Sequence, residues 1–215
     1  EHLAVRQKAG FFDMSSFAKF RLEGKDAQAV LQRIMANDVD VEPGRVIYGQ
    51  WLNNSGGIEA DLTVTRLTEN VFLIVTSAAS ATRDFAWLKK NIPEGAHCVA
   101  TDVTGSEAVF SIMGPSARDI MQKISTADFS NTEFPFGTAR EIEVGMALAR
   151  AHRISYVGEL GWELYIPTEM AAYIFEKIIG LDVSVRPKLC GMHVLDSCRL
   201  EKAFRHFGHD ITDED

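Results

Sequence analysis

Cysteine is scarce in this chain. Cys98, Cys190 and Cys198 are odd in number and form no C-x-x-C pair. That excludes a disulfide scaffold and a zinc ribbon, and it fits a reducing compartment. Histidines stand at 2, 97, 152, 193, 206 and 209, none of them in an H-x-x-x-H or H-E-x-x-H pattern, so the helical zinc pair is missing. His206 and His209 flank Phe207 and Gly208 without a third ligand, which reads as a surface role and leaves no metal site. No run approaches the ~20 apolar residues of a membrane span, and no signal peptide is visible. Positive charge is outnumbered, 22 Lys and Arg against 30 Asp and Glu, for a net charge of −8. Phosphate binding needs a basic surface, so nucleic acid is excluded as a partner. There is no G-x-G-x-x-G after a strand, no Walker lysine and no G-x-S-x-G elbow. Hydride, phosphoryl and serine-type acyl transfer therefore have no visible machinery here.

What is present is an ordinary globular composition, 46% apolar and 24% charged, in 215 residues, enough for one or two domains. The chain starts at Glu1 without methionine and ends on Thr212-Asp213-Glu214-Asp215, which reads as a piece of a longer protein. Phe17-Ala-Lys-Phe-Arg-Leu22 alternates as a strand and Gly24 closes it. Ala27, Val30, Leu31, Ile34 and Met35 recur at helical spacing and predict a helix over 25–37. Strands follow at 46–52, from Ile58 and at 71–75, then a helix over 77–92, strands at 98–101 and 108–113, and a helix after Gly114-Pro115-Ser116. From 46 to 124 this order reads as one α+β sandwich with helices on one face of an antiparallel sheet. The polar stretch 125–137 is the expected boundary. Beyond it come strands at 140–144 and 146–154, a glycine-kinked segment over 156–166, a helix from Pro167-Thr168, a loop over 182–188, and a last helix over 192–204. No internal repeat is apparent.

Two polar strand segments could carry chemistry. In the first, Asn53-Asn-Ser-Gly-Gly57 supplies a hairpin turn. Ile58, Ala60, Leu62 and Val64 then point one way, and Glu59, Asp61, Thr63 and Thr65 the other. In the second, Tyr156, Glu159 and Glu163 stand around Gly158 and Gly161, with Trp162, Leu164 and Ile166 on one face and Glu163 and Tyr165 on the other. Each polar face either meets water or lines a polar cavity. Pattern alone favours water for both.

Read together, Asn53-x-x-Gly-Gly-Ile-x-x-Asp-Leu-x-Val64 and Tyr156-x-Gly-Glu-x-Gly-Trp-Glu163 resemble the aminomethyltransferase family, whose type member is the glycine-cleavage T-protein. Gly10-Phe-Phe-Asp-Met-Ser-Ser-Phe-Ala-Lys-Phe-Arg-Leu-Glu-Gly24, Phe110-Ser-Ile-Met-Gly-Pro115 and Leu195-Asp-Ser-Cys-Arg-Leu-Glu-Lys-Ala-Phe-Arg-His-Phe-Gly-His-Asp210 keep the family's order, so the resemblance covers nearly the whole chain. The last of these is more like the C-terminal folate domain of dimethylglycine and sarcosine dehydrogenases than the free-standing T-protein. The T-protein has arginine where Leu195 stands, and usually an asparagine near Ser77. The iron–sulfur assembly relative carries Lys-Gly-Cys where Arg153-Ile154-Ser155 stands, which sets that relative apart.

The resemblance implies an α+β fold: a discontinuous folate-binding domain, 1–45 and 138–215, truncated at its C-terminal end, around a ferredoxin-like domain, 46–137, with the family's C-terminal β-barrel absent from this chain. It implies tetrahydrofolate as cofactor and transfer of a one-carbon unit at formaldehyde level, giving 5,10-methylenetetrahydrofolate from an imine or aminomethyl donor derived from a methylated amine. Asp61 matches the catalytic and cofactor-binding aspartate. Thr63 shares its face and is expected to touch the cofactor. Glu163 matches the pterin-binding glutamate and Tyr156 a tyrosine lining the site. A carboxylate suits a pterin because it accepts the ring N–H and the exocyclic NH₂ together. FAD would sit on an N-terminal flavin domain linked in the full-length protein, in a bacterial cytoplasm or a mitochondrial matrix. The alternatives are a stand-alone T-protein, a folate-dependent demethylase, or a folate-binding module without catalysis.

Overall fold

The structure, a computed structural model, describes residues 1–212; the acidic end at 213–215 lies outside them. The chain forms two compact units, Glu1–Ser15 with Gly105–Phe204, and Ser16–Thr104 with the tail from Arg205. It opens in the first unit with helix α1 (His2–Gln7) and strand β1 (Gly10–Asp13). It then builds the second unit from β2 (Ala18–Glu23), α2 (Ala27–Ile34), β3 (Val46–Leu52), β4 (Ile58–Thr68), β5 (Val71–Thr76), α3 (Ala81–Lys90) and β6 (Val99–Asp102). It returns to the first unit through β7 (Glu107–Met113), α4 (Ala117–Ile124), β8 (Ala139–Val144), β9 (Ala147–His152), β10 (Gly161–Pro167), α5 (Ala171–Ile179), β11 (Lys188–Leu189) and α6 (Met192–Glu201). Among the described residues no helix is long and apolar enough to cross a membrane.

In the second unit the strand order is β3-β4-β5-β2-β6, every neighbouring pair antiparallel. Leaving out the edge strand β3, the path β2-α2-β4-β5-α3-β6 with order β6-β2-β5-β4 is the ferredoxin-like arrangement. One face of the sheet is apolar: Phe20, Leu22, Ala60, Leu62, Val64, Phe72 and Ile74 pack with Val30, Leu31 and Ile34 of α2 and Leu88 of α3. The alternation read in 58–64 is what produces this face.

The first unit repeats the plan. Its sheet runs β8-β9-β10-β7-β1-β11, and the path β7-α4-β9-β10-α5-β11 has the same order with β1 inserted beside β7. Phe11, Phe110, Ile112, Trp162, Leu164 and Ile166 form its apolar face, against Ile120, Met121 and Ile124 of α4 and Ile174 and Ile178 of α5. The strand-to-helix step is the same in both units. Gly24 N–H donates to Asn70 O, and Gly114 N–H to Leu160 O. Both glycines have positive φ, 134° and 144°. A Cβ on Gly24 would run into the His97 carbonyl, and one on Gly114 into that of Lys8. Only glycine tolerates both conditions.

The two-unit, discontinuous α+β plan agrees with expectation, but the divisions do not fall at 45/46 and 137/138. β2 pairs along its length with β5 and with β6, which ties residues 18–34 to the second unit. β7 pairs with β1 and β10, which ties 107–124 to the first. The order over 46–124 is therefore not one sandwich. The expected strand over 156–166 begins only at Gly161, because Gly158 turns the chain at φ 73° and Arg6 Nη1 takes the Val157 carbonyl at 2.6 Å. The last helix ends at Glu201, where Ala203 adopts φ 56°.

Candidate functional site

In the second unit the hairpin is closed by Asn53, whose Oδ1 accepts from Ser55 N at 2.9 Å and Gly57 N at 3.0 Å. Register then places Gln50 opposite Asp61, and Tyr48 opposite Thr63. Gln50 Nε2 donates to Asp61 Oδ1 at 2.8 Å and reaches Tyr48 Oη at 3.2 Å, and the Tyr48 hydroxyl also hydrogen-bonds the carboxylate. Asp61 is half-buried. Burial raises its pKa, opposed by the Tyr48 and Gln50 hydrogen bonds and by the electrostatic influence of His206. Two fixed donors thus hold a partly dry carboxylate in one orientation, and in such surroundings it attracts a developing positive charge more strongly than in water. Thr63 is half-buried one register step away, between Tyr48 and Val75.

Glu59 lies at the hairpin end of the same face, and its carbonyl accepts from Arg83 Nη2. Arg83 also lies 4.9 Å from the centre of the Phe207 ring and 3.3 Å from Asp84, itself buried and bonded by Thr76 Oγ1 at 2.6 Å and Ser80 Oγ at 2.8 Å. The segment around Phe207 is therefore not a bare surface tail. It is a turn in which His206 N–H donates to Asp210 Oδ2 at 2.9 Å, and it brings His206 within electrostatic reach of Asp61.

In the first unit Tyr156 sits in the turn before β10, half-buried, its ring 6.0 Å from that of Phe204 and nearly parallel to it. Glu159 is a strut rather than a site residue: it pairs with Arg6 at 2.9 Å and approaches Lys202 at 4.0 Å. Glu163 is buried, 7% exposed, opposite Ser111 on β7 and His152 on β9. The Tyr165 hydroxyl donates to its Oε2 at 2.9 Å. Burial pushes the Glu163 carboxyl up to about 7, opposed by that hydrogen bond. Burial, then the Glu163 charge, drives the Tyr165 phenol well above its usual range, and burial and Arg150 drive His152 well below its own.

Expected residues Asp61 and Thr63 share one face of β4, and Tyr156 and Glu163 belong to the other unit. Their neighbours Tyr48, Gln50 and His152 escaped sequence reasoning. Tyr48 and Gln50 alternate on β3, and pairing 46–52 across the hairpin would have found them. His152 is linked to Glu163 by register alone. The acceptor here fits a pterin's paired N–H donors: a buried carboxylate that ionises near neutrality, with lone pairs left after Tyr165 has donated to one oxygen.

These features define the class of domain: two ferredoxin-like units, each with a carboxylate held on the face of its sheet opposite the apolar one. The chain belongs to the GCVT N-terminal domain family, which matches it over residues 1–215. It is 39% identical to the 4-methylaminobutanoate oxidase (formaldehyde-forming) of Paenarthrobacter nicotinovorans, over 98% of this chain and 26% of that protein. It is 33% identical to human mitochondrial sarcosine dehydrogenase, over 100% of this chain and 25% of that one. The aminomethyltransferase of Geobacillus kaustophilus is 36% identical, over 99% of this chain and 58% of its own length. The crystal structure of the glycine cleavage system aminomethyltransferase T from Bartonella henselae superposes with a TM-score of 0.85 at 31% identity, covering 99% of this chain and 56% of that one. The chain thus spans about a quarter of the oxidase and dehydrogenase relatives and over half of the aminomethyltransferases.

Proposed function

We propose that this domain binds tetrahydrofolate and transfers a one-carbon unit onto it, making 5,10-methylenetetrahydrofolate from an imine or aminomethyl donor. The observation that carries the reading is the half-buried Asp61 carboxylate, held by Tyr48 and Gln50 on β4 of a GCVT domain. Tetrahydrofolate, when bound, supplies the nucleophilic amine nitrogens that take up the carbon. Asp61 orients that amine and stabilises positive charge at the donor's carbon–nitrogen bond as attack proceeds. Thr63 hydrogen-bonds the cofactor beside it. Within the first unit, Glu163 would serve as the acceptor for a pterin's N–H and NH₂ donors, and Tyr156 would offer a ring face or a hydroxyl. The oxidase and dehydrogenase relatives, about four times the length of this chain, support a donor made by an oxidising part of the same polypeptide, which we take to be a flavin domain, in a bacterial cytoplasm or a mitochondrial matrix.

Asp61→Asn keeps the shape and removes the charge. In the complete polypeptide it is expected to lower formation of 5,10-methylenetetrahydrofolate by about a hundredfold or more, while folinic acid still binds. Unchanged turnover sinks the catalytic assignment. Binding of folinic acid without turnover in the unaltered protein would instead make this a folate-holding module.

A further inference from the structure

The face of the first unit's sheet opposite α4 and α5 holds an array of polar side chains that the proposed reaction does not use. Tyr165 donates its hydroxyl to Glu163 Oε2 at 2.9 Å. Its ring is stacked on His152, with centroids 4.2 Å apart and planes 29° from parallel. Arg150 Nε donates to His152 Nε2 at 3.3 Å, so that nitrogen is the acceptor and the ring proton sits on Nδ1. The same guanidinium lies 5.6 Å from the centre of the Tyr165 ring and is tied by Nη2 to both oxygens of Glu107, at 2.7 and 3.0 Å. Register explains the convergence: His152 faces Glu163, and Arg150 faces Tyr165. Glu163, Tyr165 and His152 are all buried, at 7%, 1% and 0% exposure.

We infer that Tyr165, held in place by His152 and the Arg150–Glu107 ion pair, is a positioning residue that fixes the orientation of the Glu163 carboxylate and favours its ionised form for a ligand carrying paired N–H donors. This rests on the reading of Glu163 as the pterin acceptor. A lone buried carboxylate keeps its proton, and a protonated carboxyl offers one acceptor oxygen where an N–H and NH₂ edge needs two. A hydroxyl donating to one oxygen lowers the cost of ionisation and fixes the plane of the group. Tyr165 remains a donor throughout, because its phenol is held far from ionisation. His152 cannot compete for the proton, because it is neutral and its Nε2 is occupied by Arg150. The charged and titratable groups facing Glu163 and Tyr165 are thus His152 and Arg150 on β9 and Glu107 on β7.

The test is the affinity of folinic acid for the complete polypeptide, measured by calorimetry from pH 6 to pH 9. In the unaltered protein affinity is expected to fall as pH drops through about 7, where Glu163 takes up its proton. In Tyr165→Phe the midpoint is expected to move up by about one pH unit, so that binding is weakened about fivefold more at pH 7 than at pH 9. A merely structural tyrosine would weaken binding equally at every pH, and that result overturns the inference. If Tyr165→Phe does not fold, His152→Leu reads the same array through loss of the stacked ring, and an unmoved midpoint there overturns it as well. Absence of folinic acid binding in the unaltered protein is a different outcome and removes the folate reading itself.

Discussion

A carboxyl group that is buried when the chain is folded and solvated when it is not holds its proton more tightly in the fold. Glu163 is such a group, its carboxyl raised to about 7. Between the usual carboxylate range and that value the folded state binds more protons than the unfolded one, so stability falls as pH rises through this window. The difference corresponds to about 3 kcal/mol lost by pH 8. Glu163→Gln removes the slope. Urea unfolding should therefore favour the variant over the unaltered protein by about 2–3 kcal/mol more at pH 8 than at pH 5. An equal difference at both values would mean that Glu163 is not the buried acid. A residue that costs stability in its charged form fits one kept for binding. Alternation makes the faces of both polar segments legible, and it puts Glu163 and Tyr165 on one face of β10. What separated Asp61 from Glu59 was not in the local pattern. It lies in the partner strand, where Gln50 stands opposite Asp61.

Most elements announced themselves through periodicity and turn chemistry. The four buried positions of α2 at helical spacing, the apolar run of β5 and the Gly-Pro-Ser start of α4 all formed near where they were expected. The three elements that the pattern does not show are short. α1 has one buried residue, Val5, β1 is four residues long, and β11 exists only because Gly10 and Phe11 of β1 pair with Lys188 and Leu189. None of them carries enough residues to show a period. Glycine behaves differently by element, and that can be measured. Gly24 and Gly56 both have positive φ, 134° and 87°, but a Cβ on Gly24 meets backbone atoms while one on Gly56 meets nothing within 4 Å. Gly24→Ala should destabilise by more than about 2 kcal/mol, through strain plus collision, and Gly56→Ala by about 1 kcal/mol through strain alone. Urea midpoints at constant slope check this, and equal costs at the two sites would contradict the role of Gly24 as a close-approach step.

At the scale of the whole chain, the repeated ferredoxin-like plan was invisible because the two copies share topology and a glycine step rather than a sequence pattern. The divisions were misplaced for a related reason. Sheet membership depends on pairing between strands far apart in the chain, and a polar stretch such as 125–137 marks a loop without saying which sheet the strands before it joined. The structure and the expected divisions therefore disagree about Phe110. A division at 137/138 groups it with Leu62, but it pairs with Leu164 in β10 and belongs to a different core from Leu62. Double-mutant cycles distinguish the two arrangements. Phe110→Leu with Leu164→Ala should show a coupling of about 0.5–3 kcal/mol, because each removes packing from the other's partner. Phe110→Leu with Leu62→Ala should be additive to within about 0.5 kcal/mol, because the two side chains share no core. The single Leu→Ala changes are each expected to cost about 2–5 kcal/mol, large enough for the cycle to be read by urea unfolding. Coupling between Phe110 and Leu62 larger than that between Phe110 and Leu164 would restore the division at 137/138 and overturn the two-core arrangement.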